Sequence, residues 1–291
     1  MKQRIGSLGM WIAVSFVLAG CNSKVEYIAH RGASYLAPEN TVAAAKLGWE
    51  KKADAVEVDV YLSADGKVVV IHDKTTKRTG GEELDVATST AEQLRQLDVG
   101  SFKSEQYAGE RIPLLEEVIA AMPAERRLFV EIKCGPEVLA PLQAVIDASG
   151  KRDQIVIIGF GLDTVKASKQ LMPDLPTYWL AGTGKDKETK AWIPHSTKLI
   201  DDIAGTDLEG LNVHWAGVTK EFAQAVHEAK LGLYVWTVDD PVEAARLAKL
   251  GVDGITTNRP GWLRSQLGGV TGPMRWVQAG LRGQPAQEPG K

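Results

Sequence analysis

The chain has 291 residues, of which 44% are hydrophobic and 24% charged, with 29 Gly, 13 Pro and two Cys. That composition excludes a disordered chain, a collagen-like repeat and a disulfide-stapled miniprotein. With 37 acidic and 34 basic residues the formal charge is -3, so no basic field marks nucleic acid as the main partner and any phosphate chemistry must be local to a site.

Lys2 and Arg4 precede an apolar stretch, Met10 to Ala19. It is shorter than the roughly 20 residues that span a bilayer and has the layout of a secretory signal. Its end, Leu18-Ala19-Gly20-Cys21, resembles a bacterial lipobox. The expectation is therefore a signal peptide over 1–20 and lipidation of Cys21, giving an exported lipoprotein held to a membrane, facing the periplasm or the cell exterior. Cys134 would then be the remaining thiol, with no intramolecular disulfide partner.

From residue 25 onward β-branched runs alternate with helical patterns. Strands are predicted at Tyr27–Ala29, Ala55–Val60, Val68–Ile71, Leu128–Ile132, Ile155–Gly159, Thr177–Leu180, Gly210–Val213, Leu233–Trp236 and Gly254–Thr256. Helices are predicted at Val42–Lys51, Leu114–Met122, Val138–Ser149, Leu162–Met172, Lys187–Ala204, Lys220–Ala229 and Pro241–Leu250. The last starts on Asp240 as N-cap, Pro241 in the first turn and Glu243 completing a capping box. Repeated βα units imply parallel strands. One link breaks that rule: Tyr61 to Lys67 is too short for a parallel crossover and contains Asp65-Gly66, a type I′ hairpin signal. A two-residue turn there pairs Asp59 with His72.

Setting aside the antiparallel strand leaves eight parallel strands, the number that closes a (β/α)8 TIM barrel. The expected organisation is a barrel domain over 25–264, with a β-hairpin after the second strand, and a flexible C-terminal tail over 265–291. Residues 73–113 form an insertion suited to a lid, with a short helix capped by Thr90 and Gln93.

Barrel chemistry sits at the C-terminal ends of the strands. There the sequence places His30-Arg31-Gly32, Glu57 and Asp59 on one face of the second strand, His72 after the hairpin, and Glu131 with Lys133. Three converging carboxylates repel unless a cation neutralises them, and all-oxygen ligation favours a hard ion, Mg²⁺ or Ca²⁺ with Mn²⁺ as a third choice. Two histidines are then free for proton transfer, and Arg31 and Lys133 suit an anionic substrate. The pattern reads as metal-assisted phosphoryl transfer.

In order along the chain, His30-Arg31-Gly32, Pro38-Glu39-Asn40-Thr41, Glu57-Val58-Asp59-Val60, Val70-Ile71-His72-Asp73, Arg111-Ile112-Pro113-Leu114, Glu131-Ile132-Lys133, Val235-Trp236-Thr237-Val238 and Gly251-Val252-Asp253-Gly254-Ile255-Thr256 resemble the glycerophosphodiester phosphodiesterases. The resemblance covers roughly residues 25–264. It implies hydrolysis of glycerophosphodiesters to sn-glycerol 3-phosphate and an alcohol. By its motifs Glu57, Asp59 and Glu131 hold the metal, and His30 and His72 are general acid and base in an order left open. It also implies that Arg31 and Lys133 touch the phosphate, that Trp236 lies against the glycerol and that Glu39 lies near the metal. A cyclic phosphate intermediate is a further implication. Gly159-Phe160 and Thr257-Asn258 depart from the family's pattern and bear on substrate preference.

Three other readings stand beside it: a lysophospholipase D-like phosphodiesterase acting on mono-acylated lipids, a lyase or aldolase using Lys133 as a Schiff-base nucleophile, and a non-enzymatic, surface-anchored binding protein on the same barrel. Neither a Gly-x-Ser-x-Gly elbow nor a His-x-His pair supports serine-hydrolase or amidohydrolase chemistry. His195, His214, His227 and Cys134 receive no catalytic role.

Overall fold

The structure is a computed structural model that describes residues 25–268. The signal-peptide segment, Cys21 and residues 269–291 lie outside the described residues.

Eight parallel strands close a ring: β1 (Glu26–Ala29), β2 (Ala55–Leu62), β4 (Arg127–Ile132), β5 (Ile155–Gly159), β6 (Thr177–Ala181), β7 (Gly210–His214), β8 (Gly232–Trp236) and β9 (Gly254–Thr257). β1 pairs with both β2 and β9, which completes the barrel, while β3 (Val68–Val70) runs antiparallel to β2 outside it. Val56, Val58 and Val60 of β2 are fully buried and pack outward, in one apolar cluster with Ala45 and Trp49 of helix α1 (Val42–Glu50) and Leu115, Val118 and Ile119 of helix α4 (Leu115–Ala121). The alternate residues Glu57 and Asp59 therefore face inward. Burying each such aliphatic side chain stabilises the fold by about 1.5–3 kcal/mol, so the outward valines fix which way the acids point.

The inner face is closed beneath the acids by aromatic rings. Tyr234 lies 5.4 Å from Phe129 and 4.8 Å from Tyr178, centroid to centroid. Arg127 and Glu26 pair below, and the Tyr234 hydroxyl donates to Glu26 at 3.1 Å.

The hairpin register differs from expectation. Val60 pairs with Val70 and Leu62 with Val68, and Ile71 N–H reaches Asp59 at 3.0 Å, so Ile71 rather than His72 lies opposite Asp59. The turn has three residues: Gly66 N–H donates to the Ser63 carbonyl at 3.0 Å, and Gly66 takes the left-handed φ of 76°. This is a type I turn closed by a left-handed glycine, which adds one residue to the two-residue turn that Asp65-Gly66 suggested.

The helices keep their places with altered ends. They include α5 (Leu139–Ser149), α6 (Leu162–Leu171), α8 (Lys220–Glu228) and α9 (Pro241–Lys249). Asp240 caps α9 through Val242 N–H at 2.7 Å, but Glu243 turns to Arg246 instead of completing a capping box. Of the helix predicted at Lys187–Ala204, only α7 (Lys198–Ile203) forms. The Asp186 carboxylate accepts from Glu188 and Thr189 N–H at 3.0 and 2.8 Å, making a turn that competes with helix, and Pro194 intervenes. A helix that the periodicity missed, α10 (Pro260–Leu267), carries the fold past the expected boundary at 264.

The insertion contains α2 (Lys77–Gly80) and α3 (Ala91–Leu94), the latter with the predicted Thr90–Gln93 capping box. Val69 and Ile71 pack with Val86, Leu94, Val99 and Ile112 in a satellite core. This segment is anchored to the hairpin, and the Asp65 carboxylate also accepts from Ala91 N–H at 2.9 Å.

Candidate active site

His30 leaves the end of β1, and the chain then turns through two left-handed residues, Arg31 (φ 52°) and Gly32 (φ 80°). The turn brings Arg31 N–H to within 2.8 Å of Glu57 Oε2, and Gly32 N–H to within 3.2 Å of the Glu57 carbonyl. Glycine is required at 32, because a Cβ there would lie 2.4 Å from the Ala44 carbonyl carbon. The Arg31 guanidinium meets Glu39 at 2.8 Å and Asp59 at 3.3 Å.

The Pro38-Glu39-Asn40-Thr41 segment starts α1, with Thr41 as N-cap to Ala44 N–H at 3.1 Å. Its Asn40, left-handed at φ 59° and buried, donates to Asp59 Oδ2 at 2.8 Å and accepts from Asp59 N–H at 3.1 Å. The segment therefore serves β2 as well as α1. Glu39 itself stands outside the acidic cluster, between Arg31 and Arg78, whose two nitrogens lie 2.7 and 2.8 Å from its carboxylate. Those guanidiniums overcome burial and hold the Glu39 carboxyl down at about 2.

Glu57, Asp59 and Glu131 place one carboxylate oxygen each within 4.8 Å of one another, and all three are buried. Burial, then the neighbouring Asp59 charge, push the Glu131 carboxyl up to about 7. Glu57 is raised as well, first by burial and then by Asp59 and Glu131. Glu57 Oε1 is buried without a hydrogen-bond partner, and Asp59 Oδ1 has none beyond the Lys133 ammonium at 3.4 Å. Two such under-satisfied acceptors within a three-carboxylate cluster fit a hard divalent cation and leave no comparable place for a soft one.

Lys133 Nζ lies 2.6 Å from Glu131 and 3.4 Å from Asp59. Burial pulls its ammonium toward neutrality, but those carboxylates outweigh burial and keep it charged. His30 Nδ1 lies 2.8 Å from Asn258 Oδ1. The amide orientation is fixed because Asn258 Nδ2 donates to the Asp239 carboxylate at 2.6 Å, and that carboxylate also takes Asn258 N–H at 2.9 Å. Asn258 Oδ1 is therefore the acceptor, Nδ1 carries the proton, and Nε2 is left with its lone pair. Burial, then the Arg31 charge, lower His30 to about 4. His72 Nδ1 meets the Asp73 carboxylate at 2.6 Å.

His30, Arg31, Glu57, His72, Glu131, Lys133 and Trp236 line one cavity of about 180 Å³. Trp236 donates its indole N–H to the Asn212 carbonyl at 3.1 Å and packs edge-on against Phe160 at 5.5 Å. The cavity unites most of the residues the sequence singled out. Asn40, Asp73, Arg78, Asn212, Asp239 and Asn258 were not singled out for the site as functional residues. Asn40 and Asp73 lay inside the quoted motifs, and Asn258 had been noted only as a departure. Arg78, Asp239 and Asn212 carried no local signal. Among the unassigned histidines, buried His195 contacts the His214 carbonyl at 2.8 Å, His214 stacks near Trp215 and Trp236, and His227 is exposed. Burial pushes the Cys134 thiol up to about 11, which leaves it inert.

The closed ring and the chemistry gathered at its rim are those of a (β/α)8-barrel hydrolase. Sequence comparison narrows that class. The chain belongs to the Glycerophosphoryl diester phosphodiesterase family, which it matches over residues 30–262. It is 34% identical over 242 residues to a glycerophosphodiester phosphodiesterase of Caldanaerobacter subterraneus subsp. tengcongensis, covering 81% of this chain and 95% of that one. A glycerophosphodiester phosphodiesterase of Bacillus subtilis is 29% identical over 257 residues, with 80% and 83% covered. Among solved structures, an Oleispira antarctica phosphodiesterase in complex with the product sn-glycerol-3-phosphate superposes with a TM-score of 0.75 at 26% identity, covering 84% of this chain and 97% of that one.

Proposed function

We propose that the chain hydrolyses glycerophosphodiesters to sn-glycerol 3-phosphate and an alcohol, using a divalent cation held by Glu57, Asp59 and Glu131. The observation that carries this reading is one cavity lined by Glu57 and Glu131 of that carboxylate cluster, two imidazoles and two cationic side chains. A bound cation would polarise the phosphoryl oxygens and offset their charge. Arg31 and Lys133 orient the phosphate, and Trp236 forms the wall for the glycerol. His30 is the general base, because Asn258 fixes its proton on Nδ1 and leaves Nε2 free to accept one from the attacking oxygen. His72, oriented by Asp73, gives a proton to the leaving alcohol.

The test is direct. Protein stripped with EDTA and reloaded with Mg²⁺, Ca²⁺ or Mn²⁺ should release glycerol 3-phosphate from glycerophosphocholine or glycerophosphoethanolamine. Failure across the substrate panel with every metal would sink the proposal.

A second reading, a lysophospholipase D-like activity, draws support from the exposed Phe160, Trp192 and Ile193, which offer an acyl chain apolar surface around the Trp236 and His214 rings. Faster turnover of lysophosphatidylcholine than of glycerophosphocholine would favour it. The Schiff-base reading loses ground, since an ammonium paired with two carboxylates is not a nucleophile. We further propose export and membrane anchoring through a lipidated Cys21. Labelled fatty acid should enter the wild type and not Cys21→Ser, and label in both would refute the anchor.

A further inference from the structure

The barrel rim leaves three buried acceptor oxygens without hydrogen-bond partners: Glu57 Oε1, Asp59 Oδ1 and Asn212 Oδ1. The first two belong to the carboxylate cluster, where a bound cation would complete them. The third does not belong to it. Asn212 sits on β7, paired with Leu180 of β6 and Tyr234 of β8, and is 1% exposed. It lines the same cavity as the charged residues, on a wall shared with Ile158, Leu180, Trp236 and Thr256.

Orphaned polar atoms also occur at Arg31, Trp49, Ser168 and Arg264, so an orphan alone defines nothing, and Arg31 Nε, which belongs to the same cavity, is a donor beside Asp59. Asn212 differs because its side chain faces a space a ligand can fill. The adjacent indole N–H is already given to the Asn212 backbone carbonyl at 3.1 Å, so it cannot serve the side chain. A carboxamide turns readily about its last bond, so its acceptor can address the cavity. A phosphate oxygen could accept from the amide N–H but cannot satisfy the carbonyl, whereas a hydroxyl can pair with either. The charged half of the cavity suits the phosphate, and the neutral half, with one carbonyl in an otherwise largely apolar wall, suits a short polyol.

We propose that Asn212 reads a hydroxyl of the glycerol moiety and so sets specificity for a hydroxylated three-carbon group next to the phosphate. This deepens the substrate reading given above and rests on it. A buried site built to bond a hydroxyl rejects the analogue that lacks it, because the carbonyl is then left unpaired.

The test compares binding of sn-glycerol 3-phosphate, n-propyl phosphate and phosphoethanolamine by calorimetry, using cation-loaded wild type, Asn212→Leu and Asn212→Ala. Wild type should prefer glycerol 3-phosphate to propyl phosphate by about tenfold or more. Both variants should lose that preference and keep propyl phosphate affinity within about threefold. Asn212→Leu should melt no lower than wild type, since it removes a buried amide that lacks a partner. The proposal is overturned if wild type shows no preference or if the variants retain it. It is also overturned if both phosphates weaken together with a lowered melting temperature, which would mark a packing residue holding Trp236. Selective loss of phosphoethanolamine would mean that an ammonium, and not a hydroxyl, is the group read. Turnover is scored separately: a wild type that hydrolyses no glycerophosphodiester refutes the proposed reaction, while an unchanged preference in the variants refutes this inference alone.

Discussion

Cation affinity should depend on pH in a way set by Glu131. Burial and the Asp59 charge raise its carboxyl from 4.5 to about 7 in the metal-free protein. A carboxylate ligates a hard cation only when ionised, so below pH 7 binding must expel a proton from Glu131. Well below that value each pH unit weakens binding about tenfold, and because half of Glu131 is already protonated at pH 7 the loss from pH 7 to pH 5 is about 50-fold, or roughly 2.3 kcal/mol. Glu57, raised by the same burial, adds a second proton and steepens the slope. Calorimetric titration with Ca²⁺ or Mg²⁺ at several pH values, in two buffers of different ionisation enthalpy, measures both the affinity and the protons released. At least one proton should be released at pH 6, and affinity should level off above neutrality. An affinity unchanged between pH 5 and 7, with no proton release, would refute the reasoning.

Melting of the metal-free protein is a poorer assay for the same point. The raised Glu131 contributes stability that is fully present below 4.5 and is lost as pH rises through about 7. His30, lowered from 6.5 to about 4, contributes stability present above 6.5 and lost as pH falls through about 4. The two slopes oppose each other between those limits, whereas the cation responds to the carboxylates.

Asn258→Leu should lower kcat by about 100-fold, because His30 loses the acceptor that fixes its tautomer, while cation affinity stays within about threefold; an unchanged kcat refutes the base assignment. Arg78→Ala frees one side of Glu39 and loosens its grip on Arg31, so KM for a glycerophosphodiester should rise several-fold with a smaller change in kcat. A KM equal to wild type would mean that Arg31 is held by Asp59 alone. Gly32→Ala forces a Cβ to within 2.4 Å of backbone at a left-handed φ, and should cost more than about 2 kcal/mol in denaturant unfolding. A midpoint shift smaller than that would place the turn elsewhere.

The parts of the fold and site that were legible in the sequence are those written in local periodicity. Val56, Val58 and Val60 alternate with Glu57 and Asp59, so outward burial alone turns the acids inward. The turn at Ser63–Lys67 was misread by one residue because Asp-Gly serves both a two-residue turn and the left-handed end of a three-residue one. His72 still reaches the cavity because it lies beyond the end of β3, where strand register no longer dictates side-chain direction. The helix expected at Lys187 fails because Asp186 captures the backbone first. Arg78 and Asp239 act on Glu39 and Asn258 across the fold, and Asn212 is one polar residue in an ordinary strand, so nothing in their own sequence neighbourhoods identifies them.

The charge balance explains why protons and a cation are interchangeable here. Ionised Glu57, Asp59 and Glu131 carry three negative charges, against two positive charges on Arg31 and Lys133. The aromatic floor of Phe129, Tyr178 and Tyr234 keeps water from screening the remainder from below. The metal-free rim meets this deficit by taking up protons, which is what the raised Glu57 and Glu131 carboxyls express. Where all three carboxylates are ionised, a dication would turn a site of net charge near minus one into one near plus one; at lower pH it would displace the bound protons instead. With the carboxylates ionised, a phosphodiester monoanion would be repelled by the first and attracted by the second, so the expected order is cation before substrate. The chain's overall charge of -3 gives no hint of this ordering, because the reversal of sign is confined to a cavity of about 180 Å³.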